Sequence, residues 1–146
     1  MANDINTSGG HHAGDKPDKR TMETLRQHGL TGYIHRARQI TDADLYEFDH
    51  VFAMDEENLR NVMQRVQRCE KERVAQKDGD ETAASNKKLA NISLWGAWAE
   101  EDGSGREIVI DPYYGGADGF EVVYGQCERY SDLFLNTVVG EEDEER

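Results

Sequence analysis

The stretch Asp111-Pro112-Tyr113-Tyr114-Gly115-Gly116 combines one carboxyl group, two phenol rings and three residues that interrupt regular structure. Proline removes a backbone donor and fixes φ, and paired glycines loosen the chain. No helix or strand continues through such a run, so it reads as a loop. The apolar run Ile108-Val109-Ile110 before it reads as a strand end. Residues 117–139 after it are amphipathic and read as a helix. Open α/β folds keep their ligand chemistry in loops at the carboxyl ends of strands. An acid there, beside an aromatic-walled slot, suits proton transfer to a flat substrate. The plainer reading of the same residues is a turn with two half-buried tyrosines.

The other reactive side chains are few. Cys69 and Cys127 are too few for a disulfide framework or a zinc site. A phosphate-cradling loop needs a Cys, five residues whose N–H groups turn inward, and an Arg fork. Cys69-Glu70-Lys71-Glu72-Arg73 has the wrong spacing, no Gly, and acids where a phosphate would sit. Cys127-Glu128-Arg129 lies inside a helical pattern. Both cysteines read as ordinary helix residues. His11 and His12 are adjacent, so either regular element would point them apart, and a metal would need ligands from elsewhere. Neither a metal nor a cofactor is expected.

Composition narrows the partners. The 146 residues fit one domain, with 30 acids against 17 bases and a net charge of −13. That balance disfavours nucleic acid and anionic membrane surfaces. No apolar run approaches spanning length and the N-terminus has no apolar signal core, so a cytoplasmic protein is expected.

The elements that must position the loop can be read in order. Residues 1–14 are polar and Gly-rich and read as a flexible lead-in to a domain over 15–140. Residues 15–29 read as a helix, with Pro17 in the first turn, Asp18 at the positive end of the dipole and Gly29 to end it. Met22 and Leu25 give it a narrow apolar face. A connection over 31–40 leads to Thr41, which starts a short helix with Asp44 as a capping-box-like acid. Residues 50–54 read as a buried strand. Asp55 caps the next helix, whose Leu59, Val62, Met63 and Val66 follow the 3.6 period to about Gln76. Residues 78–88 read as a surface loop, 91–98 as a second strand interrupted by Gly96, and 100–105 as a further loop. The last helix carries Phe120, Val123, Tyr124, Cys127, Phe134, Leu135 and Val138 on one stripe. The run Glu141 to Glu145 reads as a solvated, disordered acidic tail over 141–146.

The run from Asp111 to Cys127 resembles the C-terminal signature of the low-molecular-weight protein tyrosine phosphatases. Gly14-Asp15-Lys16-Pro17-Asp18-Lys19-Arg20, Ala37-Arg38-Gln39-Ile40 and Phe48-Asp49-His50-Val51-Phe52-Ala53-Met54-Asp55 with Asn58 resemble the same family in the same order. The loop over 100–105 is similar to an insertion of the fungal-type members. The family begins with a strand, a Cys-x-x-x-x-x-Arg phosphate loop, a helix and a second strand, and this sequence contains none of them. The resemblance implies an α/β fold, here a remnant of the three-layer family fold with parallel strands flanked by helices. It implies hydrolysis of phosphotyrosine or aryl phosphate monoesters through a phosphocysteine. It makes Asp111 the general acid and then the base, and makes Tyr113, Tyr114 and the loop holding His11 the pocket walls. Tyr113 and Tyr114 correspond to family tyrosines that are themselves phosphorylated. It also makes His35 and Asp55 supports of the phosphate loop, although His35 also reads as an exposed residue in a connection and Asp55 as a helix cap. Two functional readings follow: an enzyme of this family whose N-terminal segment stands outside this sequence, or a non-catalytic truncated product acting as a binding or interfering module. A phosphotyrosine protein or aryl phosphate is the partner expected only when the missing segment is present.

Overall fold

The computed structural model describes residues 13–76, 88–116 and 118–144. His11 and most of the lead-in therefore lie outside the described residues.

Local capping starts three of the helices. Asp18 caps α1 (Lys19–Gln27), its Oδ1 accepting the Arg20 N–H at 2.8 Å. The helix begins later than expected because Asp18, and not Asp15, supplies the cap. Gly29, at φ 79°, takes the left-handed turn that ends it. Thr41 and Asp44 form a reciprocal capping box at the start of α2 (Asp42–Glu47). Asp55 Oδ1 accepts the Asn58 N–H at 2.8 Å and caps α3 (Glu56–Gln76).

Two short strands, β1 (His50–Ala53) and β2 (Asn91–Leu94), pair in parallel with Val51 opposite Ile92 and Ala53 opposite Leu94. Side chains alternate across a strand, so β1 sends Val51 and Ala53 to one face and Phe52 to the other. On the first face Val51 packs with Leu45 of α2 and Val62, Val66 and Cys69 of α3, together with Ile40 and Ala90. On the second face Phe52 joins Trp95, Val109 and Phe134. Phe134 and Tyr130 come from α4 (Gly119–Glu144). Helices thus cover both faces of a small parallel sheet, as a parallel pair requires. The fold is three-layered α/β, as expected.

Three further features differ from the sequence reading. Ile108-Val109-Ile110 is not a strand. Its one backbone link to the sheet is Val109 N–H donating to Met54 O at 2.8 Å, and one bond does not make a ladder. The second strand stops at Leu94, and Trp95–Ala99 tightens into a 3-10 turn. Gly96 in that turn lies against the backbone of Glu107, where a Cβ would overlap the Glu107 carbonyl. The last helix, α4, runs on through Glu144, four residues into the stretch expected as a disordered tail. Gly14, at the end of the expected lead-in, is held in place: its N–H donates to Ala37 O at 2.6 Å and its carbonyl accepts Arg36 at 2.9 Å.

The connection over 31–40 is fixed to α2 by Arg38. Its two Nη atoms donate to the two Asp44 oxygens at 2.7 and 2.9 Å, and the Thr41 N–H adds a bond at 2.8 Å. The guanidinium holds the buried Asp44 carboxyl below the usual carboxylate range. Asp42 binds Arg65 at 2.7 Å and Arg68 at 3.0 Å, tying α2 to α3.

Two predictions follow from these contacts. Asp44→Ala removes the capping box and leaves Arg38 without its carboxylate, so urea unfolding should show a loss of about 1–3 kcal/mol. The folded Asp44 carboxyl titrates below its unfolded value near 3.9, so its stabilisation is present above that value and fades as the pH falls below it. The variant should therefore lose less stability than the parent between about pH 5 and pH 2. Gly96→Ala forces the 3-10 turn off Glu107 and should cost about 1–3 kcal/mol, read by the fluorescence of Trp95 and Trp98 during unfolding.

Candidate active site

Asp111 stands just past the sheet. Because Val109 N–H donates to Met54 O, Asp111 and Asp55 both follow closely on a hydrogen-bonded pair at the carboxyl end of β1. The Asp111 carboxyl shapes its own loop. Its Oδ1 accepts the Tyr113 N–H at 2.9 Å and caps a 3-10 turn over Pro112–Tyr114. Gly119, the first residue of α4, packs on Pro112, where a Cβ would sit 3.2 Å from the proline Cβ. The loop therefore reverses directly into the helix.

The two rings beyond the acid are open to solvent, Tyr113 by 58% and Tyr114 by 88%. They meet edge to face with centroids 4.9 Å apart. This excludes the plainer expectation of two tyrosines half-buried against the last helix. Exposed rings beside an exposed carboxyl can bracket a flat group and pass it a proton.

One residue that holds this loop was not assigned a role from sequence. The Arg20 guanidinium lies 5.3 Å from the Tyr113 centroid and 4.6 Å from that of Phe120. It also donates to both Asp18 oxygens at 3.0 and 2.8 Å. The hydrogen bonds from Arg20 hold the Asp18 carboxyl below its usual range. The first turn of α1 thus carries a cation fixed in orientation under the loop. An Arg two residues after a capping Asp signals the ion pair, but nothing local signals a ring 93 positions away. At the C-terminal end of α1, the capping residue His28 stacks on Tyr124 at 3.8 Å and its Nε2 meets Glu121 Oε2 at 2.8 Å. Both contacts hold α1 against α4.

The segment before the loop is anchored on its other side. Tyr130, fully buried, donates its Oη proton to Glu107 Oε2 at 2.5 Å, and Arg129 donates to the same oxygen. The Tyr130 and Arg129 bonds hold the Glu107 carboxyl below its usual range. Gln126 Nε2 donates to the Ile108 carbonyl at 3.2 Å. The helical stripe read from sequence passes over Tyr130, although its position fits the 3.6 period.

The remaining candidates are dispersed. Asp55 caps α3 at the same end of the sheet as Asp111. His35 faces a cavity of about 790 Å³ between α1 and residues 30–36, and its Nε2 is buried with no hydrogen-bond partner among the described residues. Cys69 is buried between α2 and α3, where burial first, then Asp42 and Glu72, pushes its thiol up. A nucleophilic thiolate needs the reverse environment. Cys127 packs in the aromatic cluster with Trp95 and Phe134. Both cysteines lie in helices, as expected, Cys69 buried and Cys127 partly buried.

Comparison with known proteins places this geometry. A family model described as low molecular weight phosphotyrosine protein phosphatase matches residues 4–80. The protein of that name from Schizosaccharomyces pombe is 36% identical over 131 residues, covering 90% of this chain and 70% of the relative. The one from Sus scrofa is 35% identical over 130 residues, with coverage of 87% and 68%. A match over nine-tenths of the chain necessarily spans the Asp111 loop. Among solved structures, the crystal structure of Primo-1 is similar with a TM-score of 0.63 and 30% identity, covering 90% of this chain and 72% of that one. The layered fold, the Asp-Pro loop beyond the sheet and these similarities together show that the chain belongs to the low molecular weight phosphotyrosine protein phosphatase family.

Proposed function

We propose that these residues form the acid-and-wall half of a site for phosphotyrosine or aryl phosphate monoesters. The observation that carries it is the placement of Asp111, an exposed carboxyl at the carboxyl end of β1 with the Tyr113 and Tyr114 rings beside it. Hydrolysis by the family's route has two steps. A thiolate attacks phosphorus while Asp111 gives its proton to the departing phenolate oxygen, so the phenol leaves neutral. Asp111 then takes a proton from water as the hydroxide oxygen attacks the phosphocysteine, freeing phosphate and the thiolate. The chain's own residues supply the acid, the walls and the Arg20 clamp on Tyr113.

The 146 residues contain no Cys-x-x-x-x-x-Arg run; Cys69 is buried in the core and Cys127 is partly buried against the aromatic cluster. We therefore read the chain as given as inactive in hydrolysis, and as acting, where it acts alone, as a binding or interfering module. With a phosphate loop supplied, His35 and Asp55 are the residues proposed to brace it. The His35 Nε2, buried without a hydrogen-bond partner among the described residues, supports that role for His35; Asp55 already has a sufficient one in capping α3.

Two measurements test this. The chain as given should not hydrolyse para-nitrophenyl phosphate above background; turnover that disappears in Asp111→Ala would overturn the reading of inactivity. A chimera carrying the strand, Cys-x-x-x-x-x-Arg loop, helix and strand of a family member should turn over phenyl phosphate. Asp111→Asn in that chimera should lower kcat by about 10²–10⁴-fold. The loss should be much smaller for an ester whose leaving group is already a stable anion. Equal losses for both leaving groups would remove Asp111 from the role of acid.

A further inference from the structure

The helix α1 presents two faces. Arg20 and, just past the helix end, His28 meet the Asp-Pro loop and α4 through the contacts above, and Thr24 is buried. Lys19, Met22, Glu23 and Arg26 lie on another side and line an open cavity of about 790 Å³ bordered by residues 30–36. That volume lies within the range of small-molecule sites.

The lining has a definite chemistry. Met22, Leu30, Tyr33 and Ile34 supply an apolar wall, with Leu30 51% and Ile34 91% exposed. Lys16, Lys19, Arg26 and Arg36 set four cations around it, against the single carboxylate of Glu23, which is bound to Arg26. In a chain of net charge −13 this is a local reversal of sign. The acids next to these lysines in sequence, Asp15 and Asp18, are not among the lining residues, and Asp18 is bound to Arg20 on the loop-facing side. Neither Lys16 nor Lys19 has an ion pair among the described residues. A concave apolar surface rimmed by one sign of charge concentrates the opposite sign. His35 lines the same cavity and brings an imidazole ring to it.

We propose that this cavity is a second binding site, separate from the Asp111 loop, for an amphipathic anion: an aliphatic body seated on Met22, Leu30 and Ile34, with a carboxylate or phosphate head among Lys16, Lys19, Arg36 and His35. The site does not rest on the phosphatase reading. A phosphate loop that engaged His35 would compete with this ligand, so binding is measured in the chain as given and hydrolysis in the chimera.

The test uses the 146-residue chain and four probes below their micellar range: octyl phosphate, octanoate, octanol and inorganic phosphate. Amide chemical-shift titration should show saturable binding of octyl phosphate or octanoate, with shifts confined to residues 16–26 and 30–36. Which of the two binds more tightly identifies the head group. Octanol and inorganic phosphate should each bind at least fivefold more weakly, because each offers only half of the match. Lys16→Gln with Lys19→Gln should weaken the tighter anionic probe at least fivefold while leaving the thermal melt unchanged. His35→Phe should weaken it too, by an effect additional to the lysine pair. The proposal is overturned if the shifts fall on residues 111–114, if octanol or inorganic phosphate binds as well as the amphipathic anions, if the lysine variants bind unchanged, or if no probe saturates.

Discussion

Four residue pairs of parallel strand, from His50 with Asn91 to Ala53 with Leu94, are the constraint on which the rest depends. Parallel pairing demands cover on both faces, because its strands are joined by a crossover that lies on one of them. Here α3 provides that crossover and covers Val51 and Ala53. Phe52 is left on the opposite face, and the Trp95, Tyr130 and Phe134 rings close over it. Phe52 and Trp95 lie 4.4 Å apart, and Trp95 meets Tyr130 edge-on at 5.9 Å. Aromatic contacts of this kind add to the burial of the rings themselves.

The position of the acid is a consequence of that pairing. Both strands run in the same direction, so their carboxyl ends share one edge of the molecule. The chain leaves β1 at Met54, whose carbonyl receives the Val109 N–H, and the Asp-Pro loop follows two residues later. Asp111 is therefore fixed by a backbone bond to the sheet and by its own bond to Tyr113, with no need of a partner side chain. Side-chain anchors add to this from two directions. Arg20 reaches the loop from α1, and Glu107 fixes the approaching segment to Tyr130 and Arg129 of α4. A rigid backbone under an exposed acid and exposed rings is the arrangement a substrate site needs.

The charge pattern divides the same way. The acids that shape structure are capped or paired at short range: Asp18 with Arg20, Asp44 with Arg38, Asp42 with Arg65 and Arg68. The cavity behind α1 carries the opposite sign, on the side of the helix away from the loop. One helix thus separates an acid-and-aromatic site from a cationic apolar one.

What the sequence determines by itself is what local physics determines. Asp18, Thr41 with Asp44, and Asp55 act within three residues of themselves, so the starts of α1, α2 and α3 are legible without a fold. The 3.6 period of Leu59, Val62 and Val66 gives α3, and the Pro and Gly residues around Tyr113 and Tyr114 give the loop and, with it, the candidate acid. The family resemblance carried by Asp111 to Cys127 adds the expectation of its role. Other features require partners far away in the chain, and only the tertiary structure decides them. Ile108 to Ile110 has the composition of a strand but finds one bond to Met54, so it stays outside the ladder. Trp95 to Ala99 continues an apolar run but tightens into a 3-10 turn where Gly96 lies against the Glu107 backbone. Tyr130 fits the apolar period of the last helix, and its polar tip is accommodated in the core because Glu107, 23 residues earlier, accepts its proton. Tyr113 and Tyr114 have the same composition whether buried or open; Arg20, 93 residues before Tyr113, is what meets that ring, and both rings are left in solvent. Caps and periods are encoded by neighbours in the chain, whereas exposure, pairing and the meeting of α1 with the loop are set by contacts that exist only once the sheet has brought distant segments together.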